Sequence, residues 1–171
     1  MTCAIVYSSR TGNTKRLAEA IEASLQPQGC LYVGPPDEAA LAADRLFIGF
    51  WTDKGTCDAD VADFLSQVSG KEVFLFGTAG FGGEPAYFES ILNRVAQCLG
   101  QGNTLIGTFM CQGRMPMAVR ERYEKMLSAP ASHRMPDPRK MLENFDRALP
   151  HPDAEDLARL KAAVASGLNP A

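Results

Sequence analysis

The feature that most constrains this chain is an alternation. Short apolar runs are followed, again and again, by segments whose apolar residues recur at helical spacing. Residues 3–7 form the first run. Residues 14–25 follow with Leu17, Ala18, Ile21 and Leu25 on one helical face, and Pro27 and Gly29 close that helix. Further strands are expected at 30–33, 45–50, 72–76 and 104–110, with a brief helix over 37–43. A helix starting at Asp58 places Val61, Phe64, Leu65 and Val68 together and stops at Gly70. Another over 84–99 does the same with Phe88, Ile91, Leu92 and Val95. Five strands alternating with helices predict a parallel sheet covered on both faces, and right-handed crossovers leave few topologies. Helices are also expected at 116–127, 139–149 and 153–165. The connection bearing Pro130, Pro136 and Pro138 reads as a surface loop, because about 30 residues beyond it are too few for a core of their own.

Composition narrows the class. A length of 171 residues suits one domain, with 46% hydrophobic and 22% charged residues, which argues against disorder. A net charge of −3 gives no general electrostatic reason to bind nucleic acid or an anionic membrane. The five cysteines (Cys3, Cys30, Cys57, Cys98, Cys111) include no C-x-x-C pair, which speaks against a zinc cluster or a disulfide framework. The first apolar run is too short for a signal peptide, and no run approaches 18 apolar residues. A soluble, reduced, cytoplasmic protein is expected.

Ligands of open parallel sheets bind beyond the carboxyl ends of the strands. Three strand-end loops stand out here: residues 8–14, 51–57 and 77–83. The first reads Ser8-Ser9-Arg10-Thr11-Gly12-Asn13-Thr14, with five hydroxyl or amide side chains in seven positions at the start of a helix. A cap needs only one such residue, whereas a phosphate is served by several donors and by unpaired helix N–H groups. No G-x-x-x-x-G-K-[ST] occurs. The stretch Gly80-Phe81-Gly82-Gly83-Glu84-Pro85 begins like G-x-G-x-x-G but carries Pro85 at the third glycine, so neither common nucleotide motif is present.

On these residues the chain resembles a flavodoxin. The run Ser9-Arg10-Thr11-Gly12-Asn13-Thr14 is similar to the family's S/T-x-T-G-x-T loop, which holds the phosphate of FMN, and residues 1–113 correspond to the flavodoxin-like core. Segments 49–57, 76–83 and 107–113 further resemble the small flavodoxin-like proteins encoded beside bilirubin reductases in gut bacteria. The resemblance implies a three-layer α/β/α sandwich in one domain, its five parallel strands ordered 2-1-3-4-5, with extra helices over 114–171. It implies FMN as cofactor, with the second and third loops enclosing the flavin ring. Binding residues would then be Ser9, Arg10, Thr11, Gly12, Asn13 and Thr14 in the first loop, Trp51, Thr52, Asp53, Lys54 and Gly55 in the second, and Thr78, Ala79, Gly80, Phe81 and Gly82 in the third. Trp51 and Phe81 are flat rings suited to stacking on a flavin, although aromatics also serve as ordinary core.

Further expectations concern redox tuning. The Gly55 peptide is the best candidate for turning its carbonyl toward flavin N5, since glycine tolerates either orientation. Asp53, Asp58 and Asp60 are placed to disfavour an anionic reduced flavin, while Asp58 or Asp60 serves equally as a helix N-cap. Cys57 and Cys111 read as small buried hydrophobes, and His133 and His151 as surface residues. Met110, Met115, Met117 and Met126 read as core, or as cover for the site or a docking face. With no acid, base or nucleophile triad in view, the expected function is an electron carrier feeding a partner protein. By the resemblance that partner is a bilirubin reductase making urobilinogen. Two alternatives stand beside it: an FMN-dependent NAD(P)H oxidoreductase acting directly on a quinone or tetrapyrrole, and a scaffold without cofactor. An anionic cofactor is expected to be held by hydroxyls and backbone N–H groups rather than by a basic patch.

Overall fold

A computed structural model describes residues 1–26, 28–129 and 136–169. Pro27, Pro130 and His133, each singled out in the sequence, lie outside the described residues. The strands are β1 (Cys3–Tyr7), β2 (Tyr32–Gly34), β3 (Arg45–Asp53), β4 (Thr56–Cys57), β5 (Glu72–Ala79) and β6 (Thr104–Gln112). The helices are α1 (Asn13–Ser24), α2 (Ala59–Gln67), α3 (Pro85–Ala96), α4 (Met117–Leu127), α5 (Pro138–Ala148) and α6 (Ala154–Leu168), with a 3-10 turn at Glu38–Ala42. The parallel sheet runs β2-β1-β3-β5-β6. That is the expected order once the short β4, which pairs antiparallel with β3, is set aside.

Alternation along the strands builds two cores. Ala4, Val6, Leu46, Ile48, Val73 and Leu75 face one way and pack with Val61, Phe64 and Leu65 of α2 and Ile91 and Val95 of α3. Ile5, Phe47, Phe74 and Phe76 face the other way and pack with Leu17, Ala18 and Ile21 of α1 and Leu160 and Val164 of α6. Each fully buried large side chain of this kind contributes roughly 1.5–3 kcal/mol relative to an exposed one. The C-terminal α6 is therefore the second cover of the α1 face. Its start is fixed by a capping box in which Asp153 and Asp156 each accept from the other's backbone N–H, at 2.9 and 3.0 Å.

Two expected loops are partly strand. Residues 51–57 form a β-hairpin: β3 continues through Trp51, which pairs with Thr78, and Thr52 and Asp53 then pair with Cys57 and Thr56. Lys54 and Gly55 make the two-residue turn with φ of 49° and 83°, the double positive φ that such hairpins require. Residues 77–79 extend β5, because Gly77, Thr78 and Ala79 pair with Met110, Cys111 and Gln112. Gly77 is needed there for space, since a Cβ would lie 2.5 Å from the Phe50 ring. The polar or small character of both stretches hid the strands, and Trp51 and residues 77–79 find their partners far away in sequence. Helix α2 also stops before Gly70, at Val68, whose ψ of 124° is already extended.

Candidate functional site at the strand ends

A cleft of about 320 Å³ opens at the carboxyl edge of the sheet, where the chain order reverses between β1 and β3. This is where ligands of such sheets bind, and the volume lies in the ~300–1,000 Å³ range of small-molecule sites. From the anticipated residues it gathers Arg10, Thr11, Asn13, Trp51, Thr52, Thr78, Ala79 and Gly80.

The first loop meets α1 through Gly12, whose φ is 88°. No side chain supplies an N-cap bond at Gly12; instead Ser9 Oγ folds back and accepts from the N–H groups of Gly12 and Lys15, both at 3.2 Å. Ser9 thus holds, with one oxygen, donors that an anion oxygen also satisfies. Asn13 Nδ2 donates to Thr11 Oγ1 at 3.0 Å and to the Arg114 carbonyl at 2.8 Å. Thr14 is different: its hydroxyl is buried, donates to the Phe50 carbonyl at 3.2 Å and lies 3.1 Å from Thr78 Oγ1. It pins the floor of the cleft from beneath.

Trp51 is half-buried on β3, and the Arg10 guanidinium sits 5.3 Å from its ring centroid, within cation–π distance. Thr52 Oγ1 donates to the Thr78 carbonyl at 2.9 Å and locks the second strand end to the third. Asp53, Lys54 and Gly55 lie in the hairpin turn rather than in the lining of the cleft. The Gly55 carbonyl, expected to face a ligand, accepts from Arg94 Nη1 of α3 at 2.9 Å. Phe81 and Gly82 line a neighbouring groove of about 530 Å³ with Tyr87 and Met141. Phe81 is 41% exposed and lies 6.4 Å from the Tyr123 ring, centroid to centroid, so it is not core.

The remaining wall was not anticipated residue by residue. It comes from Gly113, Arg114, Met115 and Pro116 after β6, and from Val119 and Arg122 of α4. Gly113 passes so close to the first loop that a Cβ would meet Asn13 Nδ2 at 2.6 Å, and Met115 Sδ lies 2.7 Å from where a Cβ on Gly80 would stand. The four methionines divide: Met110 is buried, Met115 lines the cleft, Met117 is 57% exposed and Met126 is half-buried. Three guanidinium groups, Arg10, Arg114 and Arg122, line one cleft of a chain whose net charge is −3. Beside the hydroxyls and backbone N–H groups that were expected, the cleft therefore also carries basic residues. Arg10 lies far in sequence from Arg114 and Arg122, and only the return of the chain after β6 brings them together.

The C-terminal helices are braces for this wall. Asn144 of α5, buried, donates to the Gly80 carbonyl at 2.9 Å and accepts from Gln112 Nε2 at 3.1 Å. Arg120 of α4 pairs with Asp146 of α5. Arg114 donates from Nε to the Leu149 carbonyl at 2.8 Å and from its backbone N–H to the His151 carbonyl at 2.9 Å. His151 is partly buried, with Nδ1 2.5 Å from Asp156 Oδ2, which corrects its reading as a surface residue. Burial alone would lift the Asp156 carboxyl, but hydrogen bonds from His151, the Asp153 N–H and Arg159 outweigh it and hold the group below the usual carboxylate range. Cys57 and Cys111 are buried as expected; burial pushes the Cys57 thiol up to about 11 and raises Cys111 further. Asp58 is the N-cap of α2, accepting from the Val61 N–H at 3.4 Å, while its second oxygen is buried without a partner.

These elements suit a flavin phosphate ester. Ser9 and Thr11 stand beside helix N–H donors, a half-buried indole flanks the cleft, and arginines complement the negative charge. Residues 4–165 match the flavodoxin domain family, and the chain belongs to it. It is a flavodoxin-like redox protein of a family that binds flavin. Among its relatives, the flavodoxin-like domain-containing protein BilS of Clostridium symbiosum is 41% identical, over 98% of this chain and 96% of the relative. The protein of the same description from Clostridioides difficile is 30% identical, over 92% and 90% of the two chains. In fold the chain is similar to oxidised Flavodoxin 2 from Bacillus cereus, with a TM-score of 0.58 and 18% identity over 98% of both chains. No described helix is long and apolar enough to cross a membrane.

Proposed function

We propose that the chain binds FMN in the strand-end cleft and relays electrons to a partner reductase. The observation that carries this reading is the make-up of the cleft. Among the described residues lining it there is no carboxylate, imidazole or thiol, while residues bearing hydroxyl, amide and guanidinium groups line it together with Trp51. Such a lining binds and orients an anionic, planar group and supplies no general acid or base of its own.

When bound, FMN supplies the redox chemistry. The chain's part is to hold it. Ser9, Thr11, Asn13 and the first N–H groups of α1 receive the phosphate, with the positive end of the helix favouring its charge. Arg10, Arg114 and Arg122 add cationic donors, Trp51 provides an apolar flank, and Met115 and Val119 keep water from that side. The Gly55 carbonyl is tied to Arg94, so any turning of that peptide must first release this bond. The likeness of residues 49–57, 76–83 and 107–113 to proteins encoded beside bilirubin reductases supports a bilirubin reductase as the partner.

Titrating the purified chain with FMN tests the first step. Quenching of flavin fluorescence and a yellow protein after desalting are expected, and a colourless chain that takes up no FMN overturns the proposal. A bilirubin reductase assayed with and without the FMN-loaded chain tests the second, where equal rates overturn the relay. Steady NADH oxidation by the loaded chain alone would favour a self-sufficient oxidoreductase.

A further inference from the structure

At the opposite edge of the sheet from the cleft, two thiols face one another. Cys3 is the first residue of β1, and Cys30 lies just before β2. Their Sγ atoms are 3.0 Å apart, closer than two unbonded sulfurs ordinarily approach without a shared hydrogen. Cys3 Sγ donates to the Gly29 carbonyl at 3.2 Å, so the hydrogen between the sulfurs comes from Cys30. The backbones are held at this separation by the Leu31 N–H, which donates to the Cys3 carbonyl at 2.8 Å, and by the β1–β2 ladder that begins at Ala4 and Tyr32. Neither thiol is sealed in. Both residues are partly exposed, and a cleft of about 230 Å³ reaches them past Thr2, Leu25, Gln28 and Arg45.

We propose that Cys3 and Cys30 are a dithiol–disulfide couple that a small-molecule disulfide of the glutathione class oxidises, tying the start of β1 to the entry of β2. Burial, with Cys3 beside it, pushes the Cys30 thiol up to about 12, so Cys30 stays protonated and waits. Cys3 therefore reacts first. Having lost its proton to solvent, its sulfur attacks one sulfur of the oxidant, the S–S bond of the oxidant breaks, and one thiolate leaves. Cys30 then gives up its proton and attacks the Cys3 sulfur, expelling the second thiolate. Both leaving thiolates are protonated. Two protein thiols are oxidised, one small disulfide is reduced to two thiols, and the electrons balance. The new bond closes the segment between β1 and β2, restricts the unfolded chain and leaves the flavin cleft at the far edge untouched.

The couple is distinguishable from the other thiol neighbours, Cys57 and Cys98. Cys57 is buried, whereas Cys3 and Cys30 are both partly exposed.

The test incubates the full chain with oxidised glutathione under anaerobic conditions, alkylates the remaining thiols and maps the peptides. A Cys3–Cys30 link is expected, with two of the five cysteines lost from the free thiol count. The thermal midpoint should rise by several degrees and dithiothreitol should reverse it. Cys30→Ser should stop the reaction at a glutathione adduct on Cys3, and Cys57→Ser should leave the link unaffected. All five thiols remaining free, a link between Cys57 and Cys98, or an adduct on Cys3 that persists in the unsubstituted chain would each overturn the proposal.

Discussion

The side-chain amide of Asn144 donates to the carbonyl of Gly80 at 2.9 Å across 64 positions of sequence. Through this bond α5 holds the loop after β5 that forms one wall of the cleft. Gln112 completes the relay, donating to Asn144 Oδ1 at 3.1 Å and to the same Gly80 carbonyl at 3.4 Å. The Asn144 and Gln112 side chains are buried and the Gly80 carbonyl is partly so, which makes each of these polar atoms lean on the others.

Removing the amide should therefore cost more than one hydrogen bond. Asn144→Leu leaves the Gly80 carbonyl and the Gln112 amide short of partners, at about 1–3 kcal/mol for each group stranded. A loss of about 2–4 kcal/mol in urea-unfolding stability is expected, together with weaker FMN binding. An unchanged midpoint would show that the helix does not brace the loop.

The cleft arginines should act on charge. Arg122→Gln and Arg10→Gln are each expected to weaken FMN binding about tenfold, on the order of 1.4 kcal/mol, and to make it less sensitive to salt. Riboflavin, which lacks the phosphate, should be affected less. Arg10→Gln should also shift the emission of Trp51, the single tryptophan, because the guanidinium lies over its ring. Equal losses for FMN and riboflavin would move the arginines away from the phosphate.

Thr11 and Thr14 belong to one motif yet should separate in experiment. Thr11 is exposed at the cleft, so Thr11→Val should weaken FMN binding and leave stability within about 0.5 kcal/mol. Thr14→Val removes a buried hydroxyl bonded to the Phe50 carbonyl and facing Thr78, and should lower stability by about 1–2 kcal/mol. Paired measurements of affinity and urea midpoint for the two variants decide this.

Asp58 sets a pH dependence. Burial raises its carboxyl above the usual value, outweighing the hydrogen bond from the Val61 N–H. A carboxyl raised in the folded state holds its proton more tightly there than in the unfolded chain. Its ionisation therefore subtracts stability at neutral pH, and that loss fades as the pH falls to the ordinary carboxyl value near ~3.9. Asp58→Asn keeps an N-cap residue and removes the buried charge. A gain in stability at pH 7 that vanishes below about pH 4 is expected from urea unfolding at the two pH values. A gain independent of pH would point to packing instead.

The fold was legible because its signals are local. The apolar run at Cys3–Tyr7 and the spacing of Leu17, Ala18 and Ile21 each name an element without reference to anything distant, alternation then makes the sheet parallel, and the resemblance to flavodoxins implies its order. The same locality explains the errors. Trp51 reads as the start of a polar loop until Thr78 of β5 pairs with it, and Gly77 to Ala79 read as loop until β6 pairs alongside. Gly55 has the freedom of a glycine, but its carbonyl direction is set by Arg94, 39 positions on.

By itself, then, the sequence determined the alternation of strands and helices, a parallel sheet covered on both faces and the phosphate-type loop at the start of α1, since these follow from residue spacing within segments, while the strand order was implied by the resemblance to flavodoxins. The tertiary structure decided which of those loops share one cleft. It sent Phe81 and Gly82 to a separate groove, tied the Gly55 carbonyl to Arg94 of α3, and gathered Arg10, Arg114, Arg122 and Trp51 in the lining of one cleft. The physical reason is that a charge or a buried amide acts on whatever lies within a few ångströms, and the chain after β6 chooses its neighbours only by folding back.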